Sequence, residues 1–329
     1  MSIPNPNQRG ADKDFLAADN NPNSPSHDNL YVSFAMYNSN TDEFEEFFSR
    51  STDHGQTWST PLQLSVNSGA NTEGFTWPST ISVAPNGDVY VAYHSQPDLT
   101  DSDVEGNGNA NPFGTDGQVI VFRSTDGGNS LTQRSVPFGP GQADITFNKQ
   151  DANNGRTIPG DKFWTMGSAQ PWVLADPARP GNVYVVAADD PNNGALGNPD
   201  PADVVFARST DDGQTWSSPT TVDAGIAVPG TNTNSFQLFP TAAIDQSGDI
   251  VVAWYDNRSG IVNSSGDYRL DVFSRYSTDG GLTWSDPFQL NSKQIDTDKG
   301  VVNRFNGPPP TTRIGEYFGI TISNDEWPA

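Results

Sequence analysis

The chain has 329 residues with 17 Lys+Arg against 40 Asp+Glu, a formal charge of −23, together with 31 Gly, 26 Pro and no cysteine. That charge argues against nucleic acid and against anionic membrane surfaces, which need clustered cations. The missing cysteine excludes disulfides, zinc–thiolate sites and thiol nucleophiles. A hydrophobic class of only 33% beside 11% aromatics indicates an all-β protein of short strands and long loops.

Residues 1–10 lack the apolar core of a secretion signal. No apolar run approaches the length of a membrane span, so no membrane insertion is expected. An acidic, cysteine-free, Asn/Asp/Gly-rich composition fits a bacterial secreted or cell-surface protein.

From Phe15 onward one unit recurs. A short segment ending in Asp or Pro (15–19) leads through a turn to a β-rich run (30–34). A polar loop and a third run (46–50) follow, then a punctuated turn (51–58) and a fourth short run (61–64). The same order returns at 80–85, 89–93 and 119–123, at 172–176, 183–187 and 204–208, and at 241–245, 250–254, 271–275 and 287–290. The punctuated turns are Ser51 to Trp58, Ser124 to Leu131, Ser209 to Trp216 and Ser277 to Trp284. They share Ser, Asp (Asp53, Asp126, Asp211, Asp279), Gly, and Thr or Ser at fixed offsets. Three end in Trp and the second in Leu131.

Glycine permits the positive φ of a tight turn. The Asp carboxylate accepts hydrogen bonds from turn N–H groups. The Trp offers an apolar wedge between sheets. Repeated four-stranded antiparallel units spell a β-propeller, which packs its sheets radially. The blades fall near 12–66, 75–138, 163–223 and 237–291, with a partial repeat at 313–329 that opens as an inner strand at 315–323. One propeller domain over 1–329, in itself or as part of a larger protein, is the expectation.

The pattern Ser-x-Asp-x-Gly-x-Thr-Trp resembles the Asp-box (BNR) repeat of the sialidase-like superfamily. The phrases Asp12 to Asp19 and Val252 to Arg258 resemble bacterial secreted sialidase-like proteins. The resemblance implies a propeller of five or six blades and a structural role for the four box aspartates at its periphery.

It also implies a ligand face at the other end of the axis. An active sialidase needs an Arg cluster, a Tyr nucleophile paired with Glu, and an Asp acid/base. Arg258, Arg313 and Tyr317 are the catalytic candidates, but Glu316 is adjacent to Tyr317 on a strand and points the other way. Trp77, Trp172, Arg258 and Tyr317 are the candidates for a sugar-binding face. A complete catalytic set is not visible. A glycan- or partner-binding scaffold is therefore the leading reading, and an exo-glycosidase of sialidase type the alternative.

One loop carries metal chemistry. Asp98, Asp101, Asp103 and Glu105 lie within eight residues of one another, with Gly106 after them. Alternating oxygen donors before a glycine match the first half of a calcium loop, although Pro112 stands where the bidentate Glu would be. Ca²⁺ is the expected cofactor.

Overall fold

The structure, a computed structural model, describes residues 8–38, 40, 43–65, 75–96, 117–139, 142–143, 161–189, 202–231, 234–303, 311–315 and 318–322. Four antiparallel sheets of four strands succeed one another along the chain. Blade 1 is β1 (Gln8–Ala18), β2 (Leu30–Asn38), β3 (Glu43–Ser51) and β4 (Leu62–Gln63). Blade 2 is β5 (Phe75–Val83), β6 (Val89–Gln96), β7 (Gln118–Ser124) and β8 (Thr132–Gln133). Blade 3 is β9 (Trp172–Ala175), β10 (Val183–Asp189), β11 (Asp203–Ser209) and β12 (Thr220–Thr221). Blade 4 is β13 (Gln237–Ile244), β14 (Ile250–Asp256), β15 (Arg269–Ser277) and β16 (Phe288–Gln289), with β17 (Ile295–Asp296) added to β15.

The innermost strands meet in sequence, β1 with β5, β5 with β9 and β9 with β13. No comparable contact joins β13 back to β1 among the described residues. A separate hairpin, β18 (Val301–Asn303) and β19 (Thr311–Arg313), pairs through Thr312 with Lys162 and Trp164. The segment 162–164, between blades 2 and 3 in sequence, thus meets the C-terminal part of the chain.

The expected inner strand over 315–323 does not form in its described part, residues 315 and 318–322. Phe318 instead stacks on Tyr255 of blade 4 at 4.7 Å.

The core lies between blades. Tyr31 and Phe48 of blade 1 share a cluster with Ile81, Val91 and Tyr93 of blade 2. Val121 joins Val185 and Val205 across blades 2 and 3, and Phe206 joins Val252 and Trp254 across blades 3 and 4. Alternate strand residues face opposite neighbours, so central strands read as continuous apolar runs.

The four box turns are built alike. In each the Ser hydroxyl donates to Asp Oδ1 at 2.7–2.8 Å. The Thr (Ser130 in the second box) donates its N–H to Oδ1 at 2.8–2.9 Å and its hydroxyl to Oδ2 at 2.5–2.7 Å. These bonds, led by the Thr hydroxyls, hold Asp53 and Asp211 down at about 2.

The box tryptophans are half-buried rather than enclosed. Trp284 sets an edge on Phe206 of blade 3 at 5.3 Å. Trp216 donates its indole N–H to Ser135 O of blade 2 at 2.8 Å. Leu131 packs against the cluster that blades 1 and 2 share.

Candidate functional site

The inner strands share an irregularity near the end of the axis opposite the boxes. Register slips occur between Asp12 and Phe15, Thr76 and Ser79, and Leu238 and Thr241. Proline explains two of them, because Pro78 and Pro240 cannot donate to the ladder and the strand must bulge. In blade 3 Pro171 stands just before β9. In blade 1 Asp14 occupies that place, and Asp12 Oδ1 accepts from the Lys13 N–H at 2.8 Å.

Lys13 and Phe239 hold φ of 54° and 52°. Such left-handed backbone costs a side-chain-bearing residue about 1–3 kcal/mol and gathers at functional sites. The bulges turn Lys13, Trp77 and Phe239 inward, at 2%, 6% and 2% exposure.

An aromatic cluster results. Lys13 Nζ lies 4.8 Å from the Trp77 ring centroid, and Phe44 lies 6.4 Å from Trp77. Phe239 packs on Phe163 at 6.0 Å and edge-on to Tyr255 at 5.7 Å. Trp164, Phe236 and Leu238 complete the buried set. The Phe239 N–H donates to Ser168 Oγ at 3.0 Å. Asp12 and Asp14 are exposed beside it.

Glu46 adds an acid. Ala35 pairs with Asp12 on one side and Glu46 on the other, so Glu46 sits in the cross-strand row of the Lys13 bulge. It has no solvent exposure, its Oε2 has no hydrogen-bond partner, and its Oε1 accepts from Ser79 Oγ at 2.5 Å. Burial pushes its carboxyl up to about 8, against a smaller lowering by Ser79, so it is protonated at neutral pH.

The sequence candidates distribute unevenly. Trp77 is inside the cluster. Trp172 belongs to the blade 3–4 core, donating to Pro240 O at 2.8 Å and meeting Phe15 edge-on at 5.8 Å. Arg258 departs from the ligand-facing role. It is 8% exposed, its guanidinium is bound to Asp256 at 2.5 Å and Asp223 at 3.3 Å, and it lies 4.0 Å over the Phe273 ring. A cation held on two sides by acids and on a third by a ring is a structural tie. Arg313 is half-buried in β19.

Tyr317 and the acids Asp98, Asp101, Asp103 and Glu105 lie outside the described residues. Among the described residues no group of three or more His, Asp or Glu side chains is arranged to hold a metal ion. The box aspartates Asp53, Asp126, Asp211 and Asp279 stand in their turns at the other end.

Sequence reasoning singles out neither Lys13 nor Glu46. The signal for Glu46 is strand parity: it shares a face with Phe48, which packs on blade 2, so its side chain must enter the interface.

Residues 275–286 match the BNR/Asp-box repeat family. The α-L-arabinofuranosidase Arb93A from Fusarium graminearum, solved as its E242A mutant with an iminosugar inhibitor, superposes with a TM-score of 0.56 at 15% identity, over 92% of this chain and 73% of its own. The α-L-arabinanase from Penicillium chrysogenum, solved with arabinobiose, gives 0.54 at 13% identity, over 90% and 72%. The Hadza microbial sialidase Hz136 aligns more loosely, at 0.48 and 14% identity, over 88% and 47%. No curated protein matches in sequence. At these identities the likeness is one of fold, that of a β-propeller carrying Asp-box turns.

Proposed function

We propose that this propeller is a bacterial secreted or cell-surface module that binds a glycan at the axial aromatic end, with Ca²⁺ at the 98–117 loop as a stabilising ion. The observation that carries the reading is the bulge-directed cluster of Lys13, Trp77 and Phe239. Backbone irregularity at matching positions of separate blades converges aromatic rings with a few polar groups on one place. Sugar sites are built this way, with apolar rings for the C–H faces and sparse polar groups for orientation. Arg258 and Arg269 are held by acids, which weighs against a carboxylate-gripping role for them. The solved relatives act on or bind arabinose units according to their names, so arabino-oligosaccharides lead the panel of ligands to measure. Saturable binding to an immobilised glycan panel supports the reading, and its absence across the panel removes it.

A second reading, hydrolysis of a terminal sugar, draws on Glu46. A carboxylic acid kept neutral at pH 7 beside an aromatic cluster has the protonation state of a general acid. Turnover of a fluorogenic arabinofuranoside or sialoside that Glu46→Gln abolishes would favour it over binding alone.

A further inference from the structure

At the box end of the molecule each blade presents the turn that joins its first two strands. In blades 2, 3 and 4 these turns close alike. Gly87, Gly181 and Gly248 hold φ of 85°, 85° and 82°, each two residues before the second strand of its blade. Over two of them the preceding blade reaches across. A Cβ at Gly87 would come within 2.6 Å of Ser24 Oγ and 3.3 Å of Pro25 of blade 1, and one at Gly248 within 2.5 Å of Arg179 Nη1 of blade 3. Gly181 differs. The atoms within 4 Å of such a Cβ are Thr210 O at 3.6 Å and Asp212 Oδ1 at 3.7 Å, both of its own blade.

Turn length accounts for the difference. Blade 1 joins β1 to β2 through 19–29 and blade 3 joins β9 to β10 through 176–182, whereas blade 2 has only 84–88 between β5 and β6. Among the described residues a groove of about 250 Å³ therefore stays open between blades 2 and 3. Pro85, Asn86 and Tyr90 line one side, and Gly181, Asn182 and Asp212 the other.

The filled groove between blades 3 and 4 shows what such a place holds. There Arg179 donates to Asp176 Oδ2 at 2.8 Å, Gly248 O at 3.0 Å and Thr278 O at 2.9 Å. In the open groove Gly181 stands where Gly248 does and Thr210 where Thr278 does. Ala84 replaces Asp176, but Asp212 supplies another carboxylate, from the box position at which Gly127 and Gly280 stand in the second and fourth boxes. Its side chain is 30% exposed. Asp212 and Asp88 share one cation, Arg123, at 3.2 and 2.5 Å, so these three groups leave one negative charge in excess. Tyr90 donates its hydroxyl to Asp212 Oδ1 at 3.2 Å.

We propose that this groove binds an arginine side chain of a partner polypeptide, its guanidinium lying against Asp212 and the Thr210 and Gly181 carbonyls in the place that Arg179 fills one interface further on. A guanidinium fits because its planar fork bonds a carboxylate and carbonyls at once, where an ammonium is a point charge. The occupants of both filled grooves are pieces of polypeptide, Ser24 to Ser26 and Arg179. Through Ala84 and Pro85 the groove runs into a wider recess of about 570 Å³, where Asn20, Asn21 and Gln246 offer amides to a flanking main chain. The net charge of −23 draws a cationic segment toward the chain. The groove lies at the end of the axis opposite the aromatic cluster and does not depend on glycan binding there.

Isothermal titration of the full chain at low salt with the blocked peptide acetyl-Pro-Ala-Arg-Pro-Gly-amide, the sequence of 177–181, tests this. Expected is saturable one-to-one binding that weakens as salt rises, falls at least tenfold in Asp212→Asn, and vanishes when uncharged citrulline replaces the arginine. Grafting Pro-Ala-Arg-Pro in place of Pro85 and Asn86 brings a guanidinium into the groove from the chain itself, and should abolish peptide binding while raising the melting temperature. The citrulline comparison uses the unmodified chain, so it decides the matter even where a variant folds poorly. No saturable binding at millimolar peptide overturns the proposal. So does binding that the citrulline peptide retains, or that survives both Asp212→Asn and the graft. Free L-arginine that binds as tightly as the peptide overturns a polypeptide as its source.

Discussion

Ser79 of β5 donates to Glu46 of β3 across the first blade interface at 2.5 Å, and the Ser33 hydroxyl lies 2.8 Å from the Ser79 oxygen. Burial, opposed by the single Ser79 hydroxyl, sets the acidity of Glu46, and no cation is among the causes. Its carboxyl rises from 4.5 to about 8 on folding, so between those values the folded chain binds a proton that the unfolded chain releases. Stability from this group is complete below pH 4.5, falls as pH rises, and is lost above about 8. A tenfold difference in proton affinity between the two states is worth about 1.4 kcal/mol. Denaturant unfolding at pH 5 and pH 9 should show the unmodified chain losing on the order of 3–5 kcal/mol more than Glu46→Gln. Parallel losses in the two proteins would contradict a neutral Glu46.

Arg258 supplies a second test, separating structure from recognition. Its guanidinium lies between Asp256 and Asp223, both nearly inaccessible. Removing one partner of a buried ion pair costs about 3–5 kcal/mol, because the remaining charge stays uncompensated. Arg258→Ala should therefore lower the melting temperature markedly, while glycan affinity of the folded fraction stays unchanged. Lost affinity at unchanged stability would return Arg258 to the ligand face.

The box tryptophans should not be equivalent. Trp284 rests on Phe206 of the preceding blade, whereas Trp58 has no ring contact of this kind among the described residues. Burying an aromatic fully is worth about 3–5 kcal/mol against alanine, and a half-buried edge contact about half that. Trp284→Ala should destabilise the monomer more than Trp58→Ala in urea titrations. Equal costs would mean that the indole works within its own turn rather than between blades.

Calcium is tested by removal. Ca²⁺ binding to the folded state alone raises stability by about 2.7 kcal/mol at a hundredfold excess over Kd. Chelation should lower the melting temperature, and Ca²⁺ should restore it better than Mg²⁺, which keeps its waters. Asp101→Asn with Asp103→Asn should remove the difference. A melting curve indifferent to chelator, or a shift that persists in the double variant, would dismiss this loop as the site.

The blades are legible in the sequence because their punctuation is local. Ser, Asp, Gly and Trp at fixed offsets specify a turn whose bonds close within a few residues, and the flanking apolar runs then have only one way to pair. The axial site is legible in part. Pro78 and Pro240 mark inner-strand irregularities in the sequence, and Trp77 sits at one. Lys13 carries no such mark, since Asp14 stands in the proline's place. Glu46 lies in an Asp/Glu-rich stretch that reads as solvated until the parity of β3 is set against blade 2. Arg258 reads as exposed because its second partner, Asp223, is distant in sequence and comes from the region between blades 3 and 4.

The central claim, that a glycan binds over the inner-strand bulges, is tested most directly by isothermal titration of arabino-oligosaccharides and other panel ligands into the chain and its variants. Tyr255→Ala, at a half-buried ring flanked by Phe239 and Phe318, should weaken binding at least tenfold. Leu282→Ala, at a 66% exposed position in the fourth box, should leave it unchanged. Binding that Tyr255→Ala leaves intact, or no saturable heat with any glycan of the panel, would contradict the account.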